Sequence, residues 1–161
     1  KRRNSTGNWT VYTAATGNTA ALYINASDAV YTGDVNYWNN TNPTSTQFTV
    51  GLYSTVNGSG GTYVAYLFAT CPGVSKVGSY TGTGTLTTIN CGFTGSARYV
   101  FIKRTDSAAD WVMWDTSRGM VAGTDPSISS NYQGAEINAN SVYSIATGFQ
   151  LLASPSAGVN T

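Results

Sequence analysis

Lys103-Arg104-Thr105-Asp106-Ser107-Ala108-Ala109-Asp110-Trp111-Val112-Met113-Trp114-Asp115-Thr116-Ser117-Arg118-Gly119 decides the fold, because Lys1-Arg2-Arg3-Asn4-Ser5-Thr6-Gly7-Asn8-Trp9-Thr10-Val11-Tyr12-Thr13-Ala14-Ala15-Thr16-Gly17 lies on it without a gap. Lys, Arg, Ser, Trp and Gly recur at the same spacing. Asn4 and Asn8 stand where Asp106 and Asp110 stand, and Tyr12 stands where Trp114 stands. A period of roughly 100 residues is too long for a solenoid unit and suits a domain-sized module repeated in tandem. Lys-Arg, a small polar run and Trp-Val-Met-Trp predict strand, tight turn, strand.

The exchange of Asp for Asn bears on chemistry. Both residues bond backbone two positions on and tolerate left-handed dihedrals, so both suit a turn. An acid/base pair at Asp106 and Asp110 would make the Asn copy inert, since an amide does not titrate. Turn chemistry accounts for both copies; catalysis, calcium ligation and sugar contact are the alternatives. Trp9 and Trp111, at one register in both copies, are expected in the core.

Composition sets the class. Of 161 residues, 41% are hydrophobic, 12% aromatic and only 9% charged, the last far below the roughly 25% of ordinary soluble proteins. Thr, Tyr, Val and Trp favour strands while Gly, Asn and Ser supply turns, which predicts an all-β fold. A net charge of +1 gives no electrostatic case for nucleic acid or an anionic membrane. Lys1-Arg2-Arg3 reads as a solvated strand end, as its counterpart Lys103-Arg104 does. No apolar run approaches the roughly 20 residues of a membrane span. The repeat places Lys1 inside a module, so the lack of a leader segment says nothing of export.

With no His and 2 Cys, neither a zinc site nor a Ser-His-Asp triad is expected, and no cofactor is called for. Cys71 and Cys91 flank what looks like a hairpin; a disulfide and two free, half-buried thiols are both open, the second being favoured.

Along the chain, Ala20 to Asn25 is a predicted strand, Trp38 to Thr46 a loop, and Gln47-Phe48-Thr49-Val50-Gly51 alternates like a half-buried strand. Asn57-Gly58-Ser59-Gly60-Gly61 is a turn signal. It feeds Thr62-Tyr63-Val64-Ala65-Tyr66-Leu67-Phe68-Ala69, apolar on both faces and so expected to be a central, doubly covered strand. Lys76 to Tyr80 and Leu86 to Phe93 bracket Thr81-Gly82-Thr83-Gly84-Thr85 as two strands bracket a turn; a phosphate cradle would need a following Gly-Lys-Ser/Thr. Arg98 to Ile102 is a further strand, Gly123-Thr124-Asp125-Pro126 a turn, the region through Asn140 polar, Thr147 to Leu152 a last strand, and Ser154 to Thr161 a loop. The copies are cut unequally: residues 1–70 are the later part of a first module, and 71–161 are most of a second. The second would expose a sheet edge where the Tyr63-to-Ala69 strand belongs, to be filled by a longer tandem chain or by neighbouring subunits.

Thr62 to Ala69, Val74-Ser75-Lys76-Val77-Gly78-Ser79-Tyr80-Thr81-Gly82, Asn90-Cys91-Gly92-Phe93, Val100 to Ser107 and Trp111 to Gly119 together resemble a module repeated in structural and tail-fibre proteins of tailed-phage virions. Trp38-Asn39-Asn40-Thr41 with Pro43-Thr44-Ser45-Thr46 resembles the copy that precedes it. The resemblance covers nearly the whole chain. It implies an antiparallel β-sandwich of concanavalin A-like jelly-roll type in a virion fibre or appendage, and it brings no catalytic motif. The partners it implies are copies of the same chain, as a homo-oligomer such as a trimer, and other virion proteins.

Three functions follow for testing. The first is a structural and adhesive fibre module binding host-surface glycan through Trp38, Asn39, Asn40 and Tyr37 in the loop and Trp114 with Asp115, all expected exposed. Trp38 reads equally as a loop anchor. The second is a capsid-decorating or self-assembling scaffold without a ligand. The third is a glycan depolymerase, which needs two carboxylates roughly 5 or 6.5–9.5 Å apart, and the sequence shows no such cluster.

Overall fold

The structure, a computed structural model, describes residues 1–138, 140–153 and 158–161. Positions 154–157 of the expected terminal loop lie outside the described residues. The chain is nearly all antiparallel β and folds as two compact units, Lys1–Leu67 with Thr105–Ala108, and Phe68–Arg104 with Ala109–Thr161.

In the first unit regular structure is sparse. Strand β1 (Thr10–Val11) pairs with β2 (Leu22–Tyr23), and single bridges join Arg2 to Tyr63 and Ala21 to Tyr31. The one-turn helix α1 covers Ser54–Asn57. A small aromatic core holds these pieces: Ala21, Tyr37 and Trp38 are buried, with Tyr12, Tyr23 and Val56 packed against them. Large rings give this segment, short of Leu and Ile, most of the apolar area it removes from water.

The second unit carries two sheets. Strands β3 (Thr87–Asn90), β9 (Gly148–Leu151) and β8 (Val142–Ile145) form one, in that order. Strands β4 (Tyr99–Lys103), β5 (Trp111–Asp115), β6 (Pro126–Ser129) and β7 (Ile137–Asn138) form the other. The hairpin expected from the opening stretch is present: β4 and β5 pair antiparallel, with Lys103 opposite Trp111 and Tyr99 opposite Asp115. Side chains alternate across a strand, so Val100 and Ile102 of β4, with Val112 and Trp114 of β5, face inward. There they meet Val142, Phe149 and Leu151 of the other sheet, and Met120 and Val159, in one hydrophobic cluster.

Three expectations of local structure are corrected. Gln47 to Gly51 forms no strand. Gln47 N donates to Thr44 Oγ1 at 3.1 Å and Thr44 N to Gln47 O at 2.8 Å, a tight turn after Pro43, and Phe48 is exposed. Leu86 to Phe93 does not pair with Lys76 to Tyr80; β3 pairs with β9, Ile89 opposite Phe149. A run of alternating Thr and Gly has no apolar face to fix a register locally, so the distant partner that shares the core wins.

Thr62 to Ala69 is not a covered central strand. Arg3 N donates to Thr62 O at 2.7 Å and Val64 N to Lys1 O at 3.0 Å, but beyond Val64 no described strand runs alongside. Tyr66, Leu67 and Phe68 are consequently 67%, 75% and 84% exposed. Strands β6 and β7 arise within the stretch read as polar, where Ser127 and Ile137 pair despite the Ser-rich sequence. Cys71 and Cys91 are free thiols, the first exposed and the second half-buried. Burial pushes the Cys91 thiol up, with the Lys76 charge drawing it partly back.

Candidate functional site

In the loop expected to meet a ligand, Thr41 N donates to Trp38 O at 3.1 Å across Asn39 and Asn40, whose φ angles are 52° and 48°. Two successive left-handed residues define a type I′ turn, and asparagine tolerates that conformation better than most side chains. Both asparagines are exposed. The flanking rings point the other way. Trp38 is buried and its Nε1 donates to Ala20 O at 2.8 Å. Tyr37 is buried too, its hydroxyl 2.6 Å from that of Tyr23. Desolvation first, and the Tyr23 hydrogen bond second, raise the Tyr37 phenol well above its ordinary range. Its ring lies 4.7 Å from that of Tyr53, which donates to Asp34 Oδ2 at 2.5 Å. Asp34 Oδ1 accepts from Asn36 N at 2.8 Å. The Tyr53 hydroxyl, then Asn36 N, hold the Asp34 carboxyl below the usual carboxylate range.

Trp114 is 0% exposed in the core of the second unit, and its Nε1 has no partner among the described residues. Asp115 closes the turn after β5: its Oδ1 accepts from Arg118 N at 2.9 Å, and its Oδ2 pairs with the Arg118 guanidinium. That guanidinium also reaches Glu136 Oε2 at 3.2 Å. The expectation that Tyr37, Trp38 and Trp114 stand exposed as sugar platforms is therefore corrected. Each is drawn inward because its ring supplies core area that the surrounding Thr, Ser and Asn cannot. Trp38 is an anchor. Trp111 is buried as expected, while Trp9 is half-buried against the exposed ring of Tyr66, 5.8 Å away.

What the polar side chains do instead is close backbone. Asn25 Oδ1 accepts from Trp9 N at 2.7 Å, and Asn131 Oδ1 accepts from Trp111 N at 2.7 Å. Asn25 Nδ2 donates to Asn8 Oδ1 at 3.0 Å, and Asn131 Nδ2 to Asp110 Oδ1 at 2.8 Å. Beside these, Ile24 N donates to Trp9 O and Ser130 N to Trp111 O, each at 3.0 Å. Thr16 N meets Thr13 Oγ1 at 3.2 Å, where Arg118 N meets Asp115 Oδ1. Lys1 Nζ donates to Gly7 O, and Lys103 Nζ to Ala109 O at 2.6 Å.

The correspondence extends to the later part of each half. Gly51 N donates to Tyr37 O and Leu152 N to Ser141 O, both at 2.8 Å. Asn57 Nδ2 donates to Gly51 O at 2.9 Å, and Asn160 Nδ2 to Leu152 O at 3.0 Å. Asn160, fully buried, also accepts from Thr83 N at 2.9 Å and donates to Thr85 O at 2.6 Å.

These contacts refine the reading of the Asp-for-Asn exchange at Asn8 and Asp110. Each side chain offers one oxygen to a cross-strand asparagine amide, and either an amide or a carboxylate can supply it. The expected bond to its own turn is not the one observed. Thr at position 13 and Asp at 115 are interchangeable for the same reason. Sequence reasoning missed Asn25, Asn131, Asn57 and Asn160. The available signal was an asparagine two residues beyond β2 and two beyond β6.

The sequence places Asp125 in a turn. It is buried at 1% exposure, and its Oδ2 accepts from Ser141 N at 2.6 Å and Val142 N at 2.8 Å. No group of three or more potential metal-ligating residues occurs among the described residues, and no described helix is long and apolar enough to cross a membrane.

No curated protein and no solved structure matches the chain. One family matches over residues 1–161, and the chain belongs to it: the family described as a domain of unknown function (DUF7483).

Proposed function

We propose that the chain is a non-catalytic structural module, repeated in tandem on a concanavalin A-like β-sandwich plan, that serves by packing and display in a viral fibre or surface appendage. One observation carries the non-catalytic reading: in two halves of the chain, the same backbone groups are closed by side chains at corresponding positions, and titratable groups exchange there for neutral ones. Asp110 and Asn8 do one job, and Asp115 and Thr13 another. A reaction that used either carboxylate would not leave its counterpart free to be an amide or an alcohol.

Four other acids are held by neighbouring groups as well. Asp34 holds Tyr53 and Asn36, Asp28 accepts from Tyr31 at 3.0 Å, Asp125 closes two backbone amides, and Glu136 meets Arg118. The sandwich plan draws support from the two sheets of the second unit that share one core. The viral setting rests on the resemblance of Thr62 to Gly119 to virion modules. Glycan adhesion through Tyr37, Trp38 and Trp114 has no support, because all three rings are buried.

A chain carrying Asp110→Asn together with Asp115→Thr tests the non-catalytic half. It should keep its far-ultraviolet dichroism and its assembly state unchanged, and neither chain should depolymerise a panel of bacterial surface polysaccharides. Turnover by the native chain, lost in the variant, would reject the reading. For the viral half, gold-labelled antibody against the chain should mark fibres or the outer surface of particles from a virus encoding it. Labelling of no virion component would reject that half.

A further inference from the structure

The two halves differ at one strand. In the second unit β5 lies between β4 and β6. Its counterpart β1 has β2 on one side and no described strand on the other. Trp9 and Trp111 turn their main chain towards β2 and β6, since Ile24 N and Ser130 N donate to their carbonyls. Main-chain direction alternates along an antiparallel strand. Thr10 and Tyr12 therefore face away from β2, as Val112 and Trp114 face β4. Among the described residues nothing bonds the main chain of Thr10 or Tyr12.

A second unpaired edge starts beside the first. Val64 exchanges both main-chain hydrogen bonds with Lys1, each at 3.0 Å, and Tyr63 stands opposite Arg2. By the same alternation Tyr66 turns its main chain towards the line that runs back from Lys1, and no described residue bonds it there. Tyr66 and Leu67 are exposed. In the second unit that line is β4 itself, because Lys103 corresponds to Lys1. The rings agree: Trp111 meets Phe101 of β4 at 5.2 Å, whereas Trp9 meets Tyr66 at 5.8 Å.

The two edges ask for the same strand in the same phase. Carried from Lys103 to Lys1, the pairing of β4 with β5 sets a β4-type Ile102 opposite Thr10 and Val100 opposite Tyr12. The pairing of Arg2 with Tyr63 sets Phe101 opposite Tyr66 and Val100 opposite Leu67. Ile102 and Val100 turn their main chain to β1, as they do to β5, which leaves Phe101 to bond Tyr66. One strand satisfies both edges, and it brings apolar side chains on both faces, as a strand with two neighbours requires.

We propose that the lane between β1 and Val64–Leu67 is a docking site for a β4-type strand of another module of this family, antiparallel to both edges and ending at Lys1. Main-chain hydrogen bonds supply affinity, and the alternation of aliphatic and aromatic side chains supplies register. The proposal goes beyond the structural-module reading. Its failure would leave the matched backbone closures of that reading standing.

A synthetic peptide copying residues 96–102, amidated at its end, is titrated into the 15N-labelled full chain up to about millimolar concentration. Amide exchange read by NMR should slow at least about tenfold at Thr10, Tyr12 and Tyr66. Val11, which faces β2, should not change. The peptide carrying Val100→Lys and Ile102→Lys should leave all of these amides as they were. Joining the native stretch directly ahead of Lys1 removes the dependence on peptide affinity, and should slow the same three amides.

No slowing with either the peptide or the joined chain overturns the proposal. Slowing confined to the second unit overturns it in favour of exchange with β4. Equal slowing by the lysine-substituted peptide overturns it in favour of adhesion without register.

Discussion

Replacing Asn131 by Ala removes one side chain that closes two groups at once. Its Oδ1 accepts from Trp111 N at 2.7 Å and its Nδ2 donates to the Asp110 carboxylate at 2.8 Å, both half-buried. A neutral hydrogen bond contributes about 1 kcal/mol net, one to a charged group about 1.5–3, and a stranded buried amide costs about 1–3. Discounting for partial exposure, Asn131→Ala should destabilise the Trp111 region by about 3 kcal/mol.

Asn25→Ala removes the matching pair of bonds, at 2.7 and 3.0 Å, from an exposed setting. Water can replace what is lost there, so the cost should be nearer about 1 kcal/mol. Because the chain has two compact units, global unfolding need not be two-state. Amide hydrogen exchange read by NMR under native conditions is the better assay. The Trp111 amide should exchange about 100-fold faster in Asn131→Ala, and the Trp9 amide only about 5-fold faster in Asn25→Ala. Equal effects in the two variants, or no acceleration at Trp111, would refute the claim that these asparagines close backbone and that burial sets their worth.

Other outcomes follow from the same contacts. Trp38→Phe breaks the 2.8 Å bond to Ala20 O, whereas Trp114→Phe deletes a buried N–H that bonds no described residue. Chemical denaturation should therefore find the first variant costlier by about 1–3 kcal/mol. The depressed Asp34 pKa makes its contribution to the first unit fully present above the ordinary carboxylate value, about 4, and lost as pH falls through the lower folded value. In Asp34→Asn that part of the acid sensitivity should vanish from a pH titration of unfolding. Cys71, exposed, should alkylate rapidly at neutral pH, and Cys91 slowly, since burial both shields its thiol and keeps it protonated. Intact mass under non-reducing conditions should show two free thiols.

How much was legible in the sequence divides along physical lines. The β4–β5 hairpin and the β9 strand were readable because Val, Ile, Leu, Phe and Trp mark their buried faces directly. The pairing of β3 with β9 was not, since Ile89 meets Phe149 from far along the chain and nothing local favours it over the neighbouring Thr-Gly hairpin. Thr62 to Ala69 was read as buried from its apolarity, but burial also needs a neighbour strand, and apolarity alone does not provide one.

The site was less legible than the fold. The Asn- and Asp-rich surroundings of Tyr37, Trp38 and Trp114 point to exposed rings. In the first unit, poor in aliphatic residues, aromatic rings make most of the core, and in the second Trp114 joins a mainly aliphatic cluster. Asn25 and Asn131 went unnoticed because a single asparagine beyond a strand looks like any loop residue until its cross-strand partner is seen. The gapless match of Lys1 to Gly17 with Lys103 to Gly119 was the most telling feature of the sequence. It predicted which positions to compare, though not what their side chains bond.

The central claim is that two halves of the chain close their backbone in the same way. Scalar couplings across hydrogen bonds, measured by NMR on a uniformly 13C,15N-labelled sample, read such closures one by one. The account predicts a coupling from Gly51 N to the Tyr37 carbonyl and another from Leu152 N to the Ser141 carbonyl, the two 2.8 Å contacts that correspond across the halves. Detection of only one, or a different carbonyl partner for either amide, would contradict it.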